Sequence, residues 1–297
     1  MAQIKGFFTG TVWNLLLLLF AFVGDLGSFS TVVYAQTPDS VKNSTHGFVI
    51  WRDLECTYCD GKQLISGISG ISATQGYVTA GVVVGITALV ATDNFSEIDQ
   101  YFRDVALRSQ SATNHDVFSI ANEYGNTATG VIIGGGIYTG GLVFGDESVR
   151  TTGRLVFESL IVAGISTTVL KGVIGRARPY TNTTDHTYKP FAFNNDYYSL
   201  PSGHATVAFA VSTVLSERIG NVYASIGLYA LAGSAAMGRM YFDKHWLTDV
   251  LLGGFIGTVS GIAVVRANER CTQSKSKTSS QLFLYPTTHG IGLTYSW

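Results

Sequence analysis

The sequence KGVIGRARPY at positions 171–180 opens the part of the chain that decides its fold, and SLPSGHATVAFAVSTVL (199–215) and GRMYFDKHWLTDVLLGG (238–254) complete it. Each segment joins an apolar run of helical character to a few strongly polar residues. Polar groups that cluster at the ends of apolar helices indicate that these ends converge. The three segments therefore predict an all-α helical bundle with one polar site at its helix ends.

Three cations lie at these predicted helix ends. Lys171 and Arg178 are seven positions apart, so both side chains leave one face of a helix that Pro179 ends. Arg239 closes a later apolar helix. A single cation at a helix end is usually a solvated partner of the helix dipole. Three cations at converging ends instead predict a site for the nonbridging oxygens of a phosphate.

The second segment predicts a helix N-terminus that binds the same anion. Ser202 and Gly203 lead into an apolar helix, and the first backbone N–H groups of a helix have no partner within it. These groups point outward with the positive end of the helix dipole, which favours a phosphate. His204 stands at the mouth of this predicted site, where a proton donor is needed.

The third segment places His245 and Asp249 four positions apart, so on a helix the carboxylate reaches the imidazole. A histidine held in this way has one tautomer and a more basic free nitrogen, as a nucleophile requires. A lone histidine beside an apolar run is usually structural. Two histidines, three cations and a helix N-terminus together, however, form the set of groups that phosphoryl transfer requires.

These motifs, K-x-x-x-x-x-x-R-P, P-S-G-H and R-x-x-x-x-x-H-x-x-x-D, resemble the signature of the type 2 phosphatidic acid phosphatase superfamily. That superfamily also includes bacterial nonspecific acid phosphatases and vanadium haloperoxidases. The resemblance spans roughly residues 76–267 and implies a six-helix bundle. It implies that His245 attacks phosphorus while Asp249 orients it, that His204 protonates the leaving oxygen, and that no metal or other cofactor takes part. The implied phosphate ligands are Lys171, Arg178, Ser202, the Gly203 amide and Arg239.

At one position the sequence departs from the family pattern, since Gly238 stands where the family usually has Ser before the arginine. Its lack of a hydroxyl predicts a modified oxygen-binding shell. Two other functions stay open at this point. The same pocket holding vanadate would oxidise halides, and a non-catalytic membrane protein would use the same cations to bind anionic lipid headgroups. The second alternative leaves the His245 and Asp249 pair without a purpose.

The composition indicates a helical, apolar protein of the cell envelope, and its glycine spacing suits a soluble bundle as well as a membrane-embedded one. Charged residues make up 13% of the 297-residue chain against 46% hydrophobic residues, and the net charge is −1. This balance excludes a basic nucleic-acid-binding surface. Glycines spaced by four, as at Gly253, Gly257 and Gly261, let helices approach closely. Apolar surroundings favour a substrate such as phosphatidate, a prenyl pyrophosphate or lipid A.

The N-terminal 1–35 segment predicts export. Lys5 is its only early charge, an apolar run follows, and Val33 and Ala35 offer the small residues that a signal peptidase recognises, so cleavage is expected after Ala35. The alternative is an uncleaved membrane anchor. Asp25 interrupts the apolar run before it reaches the roughly 20 residues of a spanning helix. The predicted location is the cell envelope, in the periplasm or in a membrane with a periplasm-facing site.

The rest of the chain divides into a polar linker at 36–62, the helical domain at 63–270 and a tail at 271–297 with a strand-like end. The six apolar runs lie at about 76–92, 127–144, 148–174, 204–219, 222–240 and 245–265, and an amphipathic helix follows Asp93.

Cys56 and Cys59 favour a local disulfide after export, with Cys271 either free or paired between chains.

The loop at 180–200 contains five aromatic residues: Tyr188, Phe191, Phe193, Tyr197 and Tyr198. These rings either cover the site and hold an apolar leaving group, or only hold the loop in place. Both site histidines are expected to titrate near the ordinary value of about 6.5. That predicts a bell-shaped rate profile with its optimum between mildly acidic and neutral pH.

Overall fold

A computed structural model describes residues 46–69, 93–278, 281–287 and 290–296. Within these ranges the chain forms eight α-helices and one β-hairpin. The helices are α1 (His46–Ser69), α2 (Asp93–Arg108), α3 (Ala112–Tyr124), α4 (Thr127–Phe144), α5 (Glu147–Ile174), α6 (Gly203–Ile219), α7 (Val222–Tyr241) and α8 (Leu247–Thr278). Two short 3₁₀ turns, Pro179–Thr181 and Asn195–Tyr197, lie in the loop between α5 and α6.

The all-α prediction is confirmed, and five of the predicted apolar runs correspond to α4, α5, α6, α7 and α8. The amphipathic segment after Asp93 forms α2. The apolar run at 76–92 and the signal segment at 1–35 lie outside the described residues. The structure adds two helices, α1 and α3, that the sequence analysis did not predict.

Helix α6 lies at the centre of the bundle and packs against α5, α7 and α8. Its apolar residues join a core made by Leu155, Val156, Val211, Val214 and Val264. The glycines spaced by four on α8 face α6, where a side chain at position 257 would collide with the α6 backbone. This contact brings the N-terminal ends of α6 and α8 side by side.

The chain changes direction sharply at the end of α5. Gly175 takes a left-handed conformation, with φ of 62°, and its N–H caps the helix by bonding to the Lys171 carbonyl. Glycine adopts this conformation without the steric cost that other residues meet. A Cβ here would also collide with the carbonyl of Lys189, since the loop folds back against the helix end. Gly175 thus brings the loop at 180–200 close to Lys171.

The predicted linker at 36–62 is wrong from His46 onward, because residues 46–69 form helix α1, which packs against α8. The local disulfide is also wrong. Cys59 pairs with Cys271, with 6.1 Å between the Cα atoms, and Cys56 lies outside this bond. The predicted linker after Arg270 is helical as well, since α8 continues to Thr278. The long pairing forms because α1 lies directly beside α8.

A buried ionic network explains why so polar a segment as α1 joins the bundle. Arg154 Nη1 lies 2.6 Å from Asp60 Oδ2 and 2.6 Å from Glu158 Oε1. Asn268 on α8 donates to the same Asp60 oxygen at 3.0 Å. Charged groups leave water only when they are paired and hydrogen-bonded. The charges that weaken a simple membrane-spanning assignment of α5 therefore face α1 and α8.

The chain ends in a two-stranded antiparallel hairpin, β1 (Gln281–Thr287) and β2 (Gly290–Ser296), where the sequence predicts a strand-like tail. Three of the described helical segments are long and apolar enough to cross a membrane: Thr127–Phe144, Glu147–Ile174 and Leu247–Ser274. Their length and composition are those of membrane-spanning helices.

Candidate active site

Four helix ends meet at one end of the bundle, beside the predicted site residues. The prediction that Lys171 and Arg178 share one helix face is wrong, because Gly175 ends α5 and Arg178 lies in the loop beyond it. Lys171 is in the last turn of α5, Arg239 is in the last turn of α7, and His204 is in the first turn of α6. Lys171 Nζ donates to the carbonyl of Tyr198. A Cβ placed on Gly203 would lie 4.0 Å from Lys171 Cε, so the cation lies beside the N-terminus of α6.

The N-terminus of α6 is capped in a way that leaves its first turn available. The Ser202 hydroxyl accepts from the Ala205 N–H at 3.5 Å, and the Ser202 N–H donates to the carbonyl of Asp249 at 2.9 Å. The first N–H groups of a helix have no partner within it, so the Gly203 amide can bind an anion. The Ser202 proton can donate to the same anion.

Asp249 is the polar centre of the site, with no exposed surface. Its Oδ1 accepts from Arg176 Nη1 at 2.8 Å. Its Oδ2 accepts from the Ser199 hydroxyl and, at 2.9 Å, from the Trp246 N–H. Because Trp246 immediately precedes α8, this last bond also caps the helix in the manner of a capping box.

The predicted helix start at His245 is wrong by two residues, because α8 begins at Leu247 and His245 lies in the turn before it. Its Nδ1 lies 3.5 Å from Asp249 Oδ2 and has no hydrogen-bond partner among the described residues. The predicted proximity is present, but this contact is longer than a normal hydrogen bond. Contacts of this kind often tighten only when substrate binds. With Nδ1 toward Asp249, Nε2 is the nitrogen available for chemistry.

Burial is the largest cause of the pKa shifts of both site histidines, His204 and His245. Burial, followed by the charges of Arg239, Arg178 and Lys171 in that order, lowers the pKa of His204 to about 4. Burial also lowers the pKa of His245 to about 3, an effect that the nearby Asp249 carboxylate opposes. The expectation that both lie near 6.5 is wrong, because burial disfavours the charged imidazolium. His245 is therefore neutral over the whole physiological range.

The three cations act on one another as well as on the histidines. Burial and then the charge of Arg178 lower the pKa of Arg239 to about 10. Arg178 Nε donates to the carbonyl of Asn195 at 2.9 Å, which fixes the guanidinium against the loop. Like charges brought this close favour an anion between them. The structure thus groups all the predicted site residues: Lys171, Arg178, Ser202, Gly203, His204, Arg239, His245 and Asp249.

Helix α3, which the sequence analysis missed, supports Arg239. Asn122 Oδ1 accepts from Arg239 Nη1 at 2.7 Å. Gly238 faces the same helix, where a Cβ would lie 3.3 Å from the Phe118 carbonyl. The glycine that replaces the family serine therefore permits close packing of α3, which brings Asn122 to the arginine.

Arg176 is the main functional residue that sequence reasoning missed. It is fully buried, and its guanidinium joins Asp249 to Asp99 on α2, with Nη2 at 2.7 Å from Asp99 Oδ2. Nη1 also donates to the Thr248 hydroxyl at 2.7 Å. Asp99 in turn accepts from the Thr248 N–H at 3.0 Å and so caps α8. The only sequence signal was an arginine two positions before Arg178.

Comparison with known proteins agrees with the geometry. The family model of the PAP2 superfamily matches residues 153–273 of this chain. A lipid A 1-phosphatase of Rhizobium johnstonii is 27% identical over 41% of this chain and 50% of its own length. A lipid A 4'-phosphatase of Porphyromonas gingivalis is 21% identical over 39% of this chain and 50% of its own. The chain therefore spans about half the length of these relatives.

A solved structure shows the same fold. The crystal structure of a transmembrane PAP2-type phosphatidylglycerolphosphate phosphatase from Bacillus subtilis aligns with 65% of this chain and 97% of its own. The TM-score is 0.50 and the sequence identity is 21%. The likeness supports the all-α PAP2 architecture.

The Arg176 network makes a prediction about stability. Arg176→Met leaves Asp99 and Asp249 buried without a counter-charge, and stranding buried charges of this kind costs about 3–5 kcal/mol. We expect a clear loss of free energy of unfolding, measured by thermal denaturation in detergent. Adding Asp99→Asn to the variant removes one stranded charge and should restore part of the loss.

Arg108→Met is the matched control. Arg108 is also an arginine paired with an aspartate, 3.5 Å from Asp104, but its side chain is 82% exposed. Exposed pairs contribute about 1 kcal/mol or less. Equal stability of Arg176→Met and Arg108→Met would contradict the structural role of Arg176.

Proposed function

We propose that this protein is a metal-independent phosphatase that hydrolyses a phosphate or diphosphate ester of a lipid through a phosphohistidine at His245. The observation that carries the proposal is the position of this neutral, buried imidazole. It lies 3.5 Å from Asp249, beside three cations and the N-terminus of α6. Binding an anion needs only the cations. A neutral imidazole beside a carboxylate supports nucleophilic attack.

The reaction proceeds in two displacements. His245 Nε2 donates an electron pair to phosphorus, the bond from phosphorus to the leaving oxygen breaks, and that oxygen takes a proton from His204. Water then attacks the phosphohistidine, His204 takes up the proton of the water, and phosphate leaves as the phosphorus–nitrogen bond breaks. Asp249 holds Nδ1 toward itself and stabilises the positive charge that forms on the imidazole.

The cations stabilise the charge that spreads over the equatorial oxygens in the transition state. Lys171, Arg178 and Arg239 supply that charge, and the Gly203 amide and the Ser202 hydroxyl add hydrogen bonds. Among the described residues, no group of three or more His, Cys, Asp or Glu is placed to hold a metal ion. In this proposal the arginines and the lysine take the electrostatic role.

A lipid phosphate is the proposed substrate for two reasons. The similar proteins of known activity are lipid A phosphatases and a phosphatidylglycerolphosphate phosphatase. The site also lies at the ends of helices that are apolar enough to cross a membrane, where the headgroups of lipids are found. We further propose an envelope location with the site facing the periplasm, in keeping with the export signal expected in residues 1–35.

The test is hydrolysis of a soluble chromogenic phosphate ester and of phosphatidate in excess chelator. We expect full activity with chelator and a loss of several orders of magnitude in His245→Ala, because the attacking atom is gone. His115→Ala is the control, since that imidazole is 61% exposed on α3.

Activity that disappears with the chelator would reject the metal-independent site. Undiminished activity in His245→Ala would reject the nucleophile. Tight phosphate binding without turnover of any ester would favour a lipid-binding protein without catalysis.

A second prediction concerns pH. His204 must be protonated to donate, so the rate falls as pH rises through its pKa, which burial and the cations lower to about 4. A bound phosphate dianion offsets the cations and raises that pKa. We therefore expect the alkaline limb of kcat to lie at higher pH than that of kcat/KM, which reports the enzyme before binding.

Arg239→Gln provides the comparison for the pH profile. Among the charged groups, Arg239 lowers the pKa of His204 the most. Its removal should therefore raise that pKa and shift the alkaline limb of kcat/KM to higher pH, while the rate itself falls. The substrate ionises in the same way with the wild-type protein and with Arg239→Gln, so its ionisation does not contribute to the difference between their pH profiles. If the alkaline limbs of kcat and kcat/KM coincide in each protein, His204 is not the proton donor.

A further inference from the structure

Helix α5 carries an apolar stripe that leads away from the site. Ile161, Ile165, Val169 and Val173 are spaced by four, so their side chains lie along one face of the helix. All four are exposed, by 61%, 62%, 58% and 49%. In the described part of the chain, α5 packs against α1, α4, α6 and α8. Those helices leave this stripe uncovered.

A row of small residues runs beside the stripe. Gly164 and Gly172 lie eight positions apart, with the exposed Thr168 midway between them. A Cβ built on either glycine would meet no heavy atom within 4 Å among the described residues. The small row next to the larger apolar row makes a shallow groove along the helix, open on its outer side.

The groove ends at the phosphate site. Gly172, at the end of the row of small residues, directly follows Lys171 in the chain, and its carbonyl accepts from the Phe191 N–H at 2.8 Å. The same loop contacts Arg178 through the carbonyl of Asn195. The loop therefore lies across the end of the groove and contacts a phosphate-binding residue.

This loop exposes two aromatic rings at the same place. Phe191 and Phe193 are 62% and 75% exposed, and their φ angles are 58° and 45°. Aromatic residues rarely take this left-handed conformation, which has a steric cost. Conformations of this kind persist only where the surrounding structure holds them, and they are common at ligand-binding sites. The loop thus adds apolar surface where the groove meets the cations.

The length of the groove matches one class of ligand. The stripe extends over twelve residue steps, from Ile161 to Val173, which is about 18 Å at 1.5 Å per residue. Half the hydrocarbon thickness of a bilayer, the depth that one lipid chain occupies, is about 15 Å. A polar end with three cations and an apolar length of one leaflet correspond to a phosphate headgroup and its hydrocarbon chain.

We propose that this groove binds an acyl chain of the lipid phosphate while Lys171 and Arg178 bind its phosphate, so that α5 selects substrates by chain length. This inference rests on the proposed phosphatase activity and adds the residues that recognise the lipid. Gly164 lies two helical turns, about 10 Å, from Lys171. It can therefore be changed without altering the catalytic groups.

The test fills the groove with Gly164→Leu. The side chain enters open space, and leucine favours a helix more than glycine does, so the fold should be retained. The substrates are phosphatidates with palmitoyl or hexanoyl chains, at a fixed mole fraction in detergent micelles, and a soluble chromogenic ester. We expect kcat/KM for the palmitoyl lipid to fall about tenfold or more, mainly through KM, since two lost methylene contacts have that effect.

The hexanoyl lipid and the soluble ester should be hydrolysed at the wild-type rate. Gly227→Leu is the matched control, because Gly227 is also an exposed helical glycine with open space around it, but on α7. A second variant, Phe191→Asn with Phe193→Asn, removes both aromatic rings. Asparagine tolerates the positive φ angles of these positions, so the loop backbone should be retained. We expect it to show the same selective loss with the palmitoyl lipid.

Several results would overturn the inference. Equal loss on all three substrates, or unchanged kcat/KM for the palmitoyl lipid, would show that the groove does not select the chain. A lower melting temperature for Gly164→Leu than for Gly227→Leu would show that protein covers the stripe. If the wild-type protein hydrolyses none of the three substrates, the proposed function itself fails. Hydrolysis of all three with no effect of Gly164→Leu rejects the groove alone.

Discussion

The bond between Arg176 and Asp249, both without exposed surface, is the interaction on which the site depends. A buried carboxylate is stable only with a counter-charge and enough hydrogen bonds. Arg176 supplies that charge and also pairs with Asp99, so one guanidinium holds α2, the turn after α5 and the start of α8 in fixed positions. His245 precedes α8 by two residues, and its position follows from this arrangement.

The site combines burial with excess positive charge, and both effects keep His245 neutral. Neutrality suits a nucleophile, whereas the same surroundings oppose the protonation of His204. In the proposed reaction a phosphate dianion resolves this conflict, because its charge balances the cations and raises the pKa of His204. The arrangement therefore favours the protonated donor mainly when the substrate is present.

The sequence indicated which residues to assign to the candidate site because the spacing of their motifs is local. His245 and Asp249 are four positions apart, and the apolar runs show the helices directly. The partners of Arg176 could not be predicted, since Asp99 lies 77 positions away. Helix α1 was missed because its buried acid, Asp60, pairs with an arginine on α5 and so looks like a surface charge in the sequence. The Cys59 disulfide joins positions 212 apart, and only the packing of two helices reveals it.

The central claim is that the Asp249-centred network presents His245 as a nucleophile, and trapping the reaction intermediate tests it most directly. Rapid quenching of the protein with a phosphate ester labelled on phosphorus should yield a covalent phosphoprotein that is labile in acid and stable in base, as a phosphohistidine is. Peptide mapping should place the label on His245, and the label should be absent from His245→Ala. Label on any other residue, or inversion of configuration at phosphorus during turnover, would contradict the account.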